Sequence, residues 1–283
     1  MKELGDFLKA RRAALDPAEL GLPQGVTQRR VAGLRREELA QLAGISVDYY
    51  TRLEQGRARN VSPAVLESLA RALRLHADEE RYLTNLATPK RGRATKPKPQ
   101  RVRPELQLLL DTIQAPAFIF GRYMDVLAWN ALGAAIGFDF ASGERNIPKA
   151  FFFDEAARDL HPEWEAVAKE VVANLRSEVG KYPDDPRLAQ LVGELSMHSA
   201  DFRKLWAGQS VREKASGVKV INNPVVGELR LNYETMRLQG DLDQGIVIYT
   251  ADPGSESENG LRLLASWIAS EDAPSPSARE TAR

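Results

Sequence analysis

RREELAQLAGISVDYYTRLEQGRARN, residues 35–60, is the stretch whose reading decides the fold of the first half of the chain. Arg36–Ala43 reads as one short helix, Gly44–Ile45 as a turn, and Ser46 opens a second helix that runs to about Gln55. Leu39, Leu42, Ile45, Tyr50 and Leu53 keep helical spacing on both sides of the turn. Two short helices joined by a tight, glycine-containing turn form a helix-turn-helix, whose second helix is shaped for a DNA major groove. Ser46 is a good N-cap, Asp48 complements the positive end of the helix, and Gly56 closes it as a C′ glycine.

Outward from this pair, Lys2–Leu15 forms an amphipathic helix with Leu4, Phe7, Leu8 and Leu15 on its apolar face. Ser62–Pro63 is an N-cap followed by Pro in the first turn, and it starts a helix carrying Val65, Leu66, Leu69, Leu73 and Leu75. Ala77–Leu86 is the next helix, acidic in its first turn. Residues 17–34 form a loop unusually long for a compact helical domain; its Arg29 and Arg30 belong either to a solvated loop or to an arm reaching phosphate. Residues 1–87 thus make an all-α helix-turn-helix domain. Residues 88–103, with no acid and no aromatic, are a basic linker that cannot bury enough surface to fold alone.

Residues 104–270 form a second domain. A helix at 105–114 precedes a hairpin, 116–121 and 125–129, and a short helix at 130–137. Phe151–Phe153 follow a loop, and 162–177 is helical. Another helical pattern runs from Leu188 to Leu205, with a break near Ser199. The apolar period then changes to two in 218–221, 227–238 and 245–251, with a slip at Thr235–Met236 that suggests a bulge, and 258–268 is a last helix. This order predicts an α+β domain, an antiparallel sheet with helices on it. Residues 271–283 are expected to be a disordered tail.

The 283 residues are 43% hydrophobic and 28% charged, enough for two cores. The zero net charge hides an asymmetry: residues 1–103 carry 21 Lys+Arg against 12 Asp+Glu, and the remainder 18 against 27. A basic half joined to an acidic half points to nucleic acid on one side only. Seven of those cations sit in the linker, so the folded reader itself, at 14 against 12, is nearly neutral. There is no cysteine, no apolar run of membrane-spanning length and no secretory signal, so a cytoplasmic address is expected. No nucleophile elbow, phosphate loop or paired-His metal motif is present, and His76, His161 and His198 are isolated. An enzyme, a catalytic residue, a metal and a resident cofactor are therefore not expected.

Leu34 and Glu37–Ser46, then RLEQGR at 52–57 and PAVLESLARAL at 63–73, resemble the Xre or phage-repressor helix-turn-helix regulators. GLRREELA and SVDYYTRLEQGR, with DVLAWN (125–130), HPEWEAVAKEVVANLR (161–176), ELSMHSADFRKLWAGQSVR (194–212), NNPVVGELRLNYETM (222–236) and DQGIVIYTADPGS (243–255), resemble the MmyB-like subgroup. The resemblance implies transcription regulation and a PAS-like second domain that binds an apolar, fatty-acid-like small molecule. Two departures stand out. Arg35–Arg36 replace the Ser/Thr–Gln pair usual in the wider family, a change the subgroup shares, which makes Arg36 a phosphate contact. Asn223 stands where the subgroup usually has a His before Pro, so the ligand or its affinity is expected to differ if that His helps hold it.

The expected DNA-binding residues are Arg35, Arg36, Ser46, Val47, Asp48, Tyr49, Arg52, Arg57 and Asn60. Arg52 suits a two-pronged contact to guanine, and Val47 and Tyr49 pack on a thymine methyl. Asp48 either accepts from cytosine or only stabilises the helix end, the second reading being favoured. Arg35, Arg36, Arg57 and Asn60 suit the backbone, and Glu54 suits a nearby arginine. One helix reads few base pairs, so a homodimer on a double-stranded DNA operator is expected. The expected ligand-binding residues are Phe118, Phe120, Trp129, Asn130, Arg158, Trp164, Arg176, Phe202 and Tyr233. Asn130, Arg158 and Arg176 are the candidate carboxylate anchors, and each aromatic can equally be core. The alternative function is a DNA-binding regulator whose second domain is a protein-interaction or dimerisation module without a small-molecule ligand.

Overall fold

The computed structural model describes residues 2–20, 33–58, 60–87, 100–137, 140, 143–211, 214–241 and 243–271. Arg29 and Arg30 in the long loop, most of the basic linker, Phe138 and the C-terminal tail lie outside them. The chain divides into two compact units: residues 1–97 with 172–213, and 98–171 with 214–283. Among the described residues no helix is long and apolar enough to cross a membrane.

The first unit opens with α1 (Lys2–Ala14), α2 (Arg36–Ala43), α3 (Val47–Glu54), α4 (Pro63–Ala72) and α5 (Ala77–Ala87). Local chemistry places each boundary. Gly44 adopts φ 67°, a left-handed turn that an L side chain disfavours, and Ile45 N–H donates to the Ala40 carbonyl to close α2. The Ser46 hydroxyl accepts from Tyr49 N–H at 3.2 Å, and Ser62 accepts from Val65 N–H at the start of α4. Leu4, Phe7, Leu8, Leu39, Tyr50, Leu53, Leu69 and Leu83 meet in one buried cluster. Gly5 lets α1 approach α3 closely, because a Cβ there would lie 2.2 Å from the Glu54 carbonyl oxygen.

Inside this apolar cluster sits one charge network. The Glu54 side chain is 2% exposed and accepts from Arg12 Nε at 2.7 Å and Arg36 Nε at 2.6 Å. Arg12 also donates to the Leu34 carbonyl at 2.5 Å. Burial alone would raise the Glu54 pKa; the hydrogen bonds from Arg12 and Arg36 outweigh it and hold the carboxyl below its usual range.

The same unit contains the C-terminal turns of α10 (Trp164–Lys181), then α11 (Pro186–His198) and α12 (Ala200–Ala207). Ser199 separates the last two helices and caps α12 through Phe202 N–H, the break expected from the pattern.

The second unit contains α6 (Pro104–Thr112), β1 (Ala117–Phe120), β2 (Val126–Trp129), α7 (Ala131–Ala135), α8 (Ile147–Phe153), α9 (Ala156–Leu160), the first turns of α10, β3 (Ser216–Asn223), β4 (Gly227–Arg237), β5 (Gly245–Thr250) and α13 (Glu256–Glu271). The strands form one antiparallel sheet in the order β2-β1-β5-β4-β3, an α+β architecture. Alternation assigns the faces. Phe118, Leu229, Leu231, Tyr233, Val247 and Tyr249 join Ile136 and Leu264 on one side. Ala117, Ile119, Ala128 and Ile246 join Leu110 on the other. The bulge expected at Thr235–Met236 is absent, since β4 pairs with β5 in unbroken register from Asn232 to Arg237; the irregularity falls instead between Ile119 and Phe120.

Removing one partner of a buried pair costs more than the pair is worth, because the other charge stays buried. Glu54→Ala is expected to destabilise the first unit by about 3–5 kcal/mol in denaturant unfolding. The lowered Glu54 pKa contributes stability that is present above the unfolded value of 4.5 and is lost as pH falls through the folded one. Glu54→Gln removes that part of the acid dependence, which a comparison of melting curves between pH 3 and 6 checks.

Candidate DNA-reading surface and ligand cavity

The periodicity that buries Tyr50 and Leu53 leaves the rest of α3 outward. Ser46, Val47, Asp48 and Arg52 are exposed and Tyr49 is half-buried. Arg52 Nε lies 3.3 Å from Asp48 Oδ2 one turn back, and its guanidinium carbon lies 5.8 Å from the Tyr49 ring centre. Asp48 therefore both stands in the first turn and orients Arg52. Arg35, Arg36, Arg57 and Asn60 are exposed around the helix pair. Arg35 donates its backbone N–H to Glu38 Oε2 at 2.7 Å, and Asn60 adopts φ 58°. Arg36 shares Glu54 with Arg12, yet its side chain is 44% exposed. The nine expected DNA-binding residues thus lie on α2, α3 and their flanks, and a buried carboxylate braces one of them.

Residues between Arg176 and Val211 touch α1 and α5 at several points. Arg11 donates to Glu79 Oε1 at 2.6 Å and to the carbonyl of Gln209 at 2.6 Å. Val211 joins the reader's apolar cluster, and the Tyr82 ring fills the space where Gly180 has no Cβ. Arg176, 2% exposed, donates to Gln209 Oε1 at 2.6 Å and to the Trp206 carbonyl, and lies 3.8 Å from the Trp206 ring centre. Burial lowers its pKa, opposed by Tyr82 and Glu3. Phe202 is fully buried and stacks on Trp206 at 5.4 Å. Of the expected ligand residues, Arg176 and Phe202 therefore belong to the reader's unit.

The other seven lie in the second unit, in two groups and a hub. Phe118, Phe120, Trp129 and Tyr233 pack in the core on one face of the sheet, with Phe118 and Trp129 each 5.4 Å from Phe140. Trp164 stacks on Phe151 at 5.5 Å, and the Arg158 guanidinium lies 3.8 Å from the Trp164 ring centre. His161 packs beside Phe151, and burial followed by the nearby Lys219 pushes its pKa down to about 4, so it is neutral near pH 7. Asn130 is the hub. Its oxygen accepts from Ala117 and Gly133 N–H, and its nitrogen donates to the carbonyls of Ile113 and Ala115. Tyr233 is pushed up to about 12 by burial and by Glu170, whose carboxylate pairs with Lys214 and Lys219.

A cavity of about 840 Å³ opens between α8, α9 and the β3–β4 turn. Phe140, Phe151, Phe153, Leu160, Ala150, Ala156 and Ala157 give it apolar walls. Its polar lining is Glu144, Lys149, Asp154, Asp159, Asn222 and Asn223. None of the nine expected ligand residues lines it, although Phe118, Trp129 and Trp164 back its aromatic walls. Asn223 lines it at the position where the resemblance places a His. Its side chain is committed to the turn, donating to the Ala135 carbonyl and accepting from Val225 and Val226 N–H. The signal for this wall is Asn146–Ile147–Pro148: Asn146 caps α8 through Lys149 N–H, and Pro148 sits in the first turn. Read that way, Phe151–Phe153 ends a helix.

An exposed, capped second helix braced from beneath defines a helix-turn-helix reader, and the cavity belongs to a separate α+β unit. Residues 3–83 match a helix-turn-helix domain family. Residues 102–264 match the MmyB-like transcription regulator ligand binding domain, more than half of the chain. The chain belongs to the MmyB-like transcription regulators, and both matched families are regulator domains rather than enzymes. Comparison with curated proteins returns no matching relative.

Asn130→Ala would leave two buried N–H groups and two carbonyls without their side-chain partner. It is expected to cost roughly 2–4 kcal/mol in denaturant unfolding.

Proposed function

We propose that the protein is a sequence-specific DNA-binding regulator that acts as a homodimer and whose second unit senses an apolar small molecule of fatty-acid-like size. The observation that carries the reading is the exposed, oriented Arg52 on a capped helix in the same chain as a cavity with phenylalanine walls. Arg52 reads guanine, and Val47 and Tyr49 meet a thymine methyl. Ser46 and Asp48 frame the helix start, while Arg35, Arg36, Arg57 and Asn60 hold the phosphate backbone. A reader with almost balanced charge depends on such placed cations more than on a general field. The cavity volume lies within the range of small-molecule sites, and its walls suit an alkyl or ring-containing body.

Coupling is supported by where residues 172–213 fold. They fall inside the ligand-binding family match, yet they pack on α1 and α5 of the reader. A ligand-dependent change that reaches this segment alters the support of the reading helices and, in a dimer, the spacing of two readers.

Two outcomes are expected. Arg52→Ala lowers affinity for the specific operator by ~1–3 kcal/mol while weak, salt-sensitive binding to other DNA persists. A loss smaller than about twofold removes Arg52 as base reader. Binding of an apolar ligand changes the footprint on the operator, which protection assays across a panel of long-chain small molecules check. A footprint identical across the panel sinks the sensor reading and leaves the DNA reader intact.

A further inference from the structure

The carboxylate of a fatty acid needs a cationic partner, and among the residues that line the cavity the one cation is Lys149, while Arg145 beside it is turned to the Phe140 carbonyl and the Trp129 ring. Asn130 is fully engaged with backbone groups of its own domain. Arg158 lies over Trp164, and Arg176 belongs to the other unit. The amides that line the cavity are committed too, Asn222 to the Asp159 carbonyl and Asn223 to its turn. The charged side chains of the lining are three carboxylates, Glu144, Asp154 and Asp159, and one ammonium, Lys149. Glu144 and Asp154 each use an oxygen on a nearby backbone N–H, of Asn146 and Ala156. Among the described residues the Asp159 carboxylate has no hydrogen-bond partner.

We infer that the cavity takes an amphiphilic cation: an apolar body against Phe140, Phe151 and Phe153, with an ammonium head among Glu144, Asp154 and Asp159. Three features of the lining favour this head over a carboxylate. Three negative charges against one positive repel an anion entering the cleft. Phenylalanine faces attract a cation and repel an anion. Asn223 contributes no positive charge at any pH, and both ends of its amide are already used. Phe153, 41% exposed at this wall, is the large apolar side chain that a bound tail or head would cover. The inference rests on the proposal that this cavity is the ligand site and adds the charge of what it recognises.

Three probes with one tail test it: decyltrimethylammonium, decanol and decanoate, each below its micelle concentration, titrated calorimetrically into the full chain. The ammonium probe is expected to bind at least about fivefold tighter than decanoate at low salt, with a margin that shrinks as salt screens the rim. The combined variant Glu144→Gln, Asp154→Asn, Asp159→Asn keeps the backbone hydrogen bonds and is expected to erase the margin while leaving decanol unchanged. Ala156→Trp, on the exposed wall, is expected to weaken all three probes. Decanoate binding as tightly as the ammonium probe, or a margin that survives the triple variant, overturns the cationic head and leaves the apolar site standing. No binding by any probe, or binding indifferent to Ala156→Trp, overturns the site and the head together.

Discussion

The reader depends on a carboxylate buried where an apolar side chain would be expected. Glu54 closes α3 and collects Arg12 from α1 and Arg36 from α2, so one side chain fixes three helices at once. Its charge is tolerated because two guanidinium groups share it, and the pairing shifts its pKa down against the upward pull of burial. Arg36 extends this network to the surface. One end of its guanidinium is committed to Glu54 while the side chain stays half in solvent beside the reading helix. A domain with nearly balanced charge thereby presents a cation in a fixed place.

The first domain was legible because its signals are local. Ser46, Gly44, Ser62 and Pro63 act within one turn of themselves, and the structure uses each as its residue type predicts. The strands were legible from period-two burial. The misplaced bulge shows where that signal fails. Leu229, Leu231 and Tyr233 are buried in strict alternation, and Thr235 keeps the phase; Met236 is simply an apolar residue on the exposed face near the end of β4. At a strand end neither face is forced inward, so a methionine there carries no register information. Helices α8 and α9 were missed because both are short and the phenylalanines of α8 form a run rather than a stripe.

The cavity was hidden for a related reason. A search for a binding site among the largest apolar side chains selects the residues that fill space. Phe118, Trp129, Tyr233 and Phe202 do fill it, in packed clusters. The cavity exists where the chain supplies small residues, Gly137, Ala150, Ala156 and Ala157, between a few phenylalanines. Small residues leave no mark in a reading of hydrophobic bulk. The carboxylates around them read equally well as solvated loop charges until α8, α9 and the β3–β4 turn bring them to one rim.

Composition and packing also draw different boundaries through this chain. Residues 88–103 stand out by their basic, acid-free composition, which separates the helix-turn-helix domain from the ligand-binding domain in the sequence. Packing assigns residues 172–213 to the reader, with the division inside α10. The contacts involved are specific ones. Arg11 reaches the carbonyls of Gly208 and Gln209, Val211 enters the reader's core, and Tyr82 lies where Gly180 leaves room. Arg176, buried beside Trp206 and Gln209, lies near Tyr82 and Glu3 of the N-terminal helices, which oppose the fall in its pKa that burial causes. The basic linker is therefore one of three places where the chain passes between the two units, with α10 and the 213–214 junction. The passage through α10 leads into buried contacts on α1 and α5, where Gly180 leaves room for Tyr82 and Arg176 lies near Glu3.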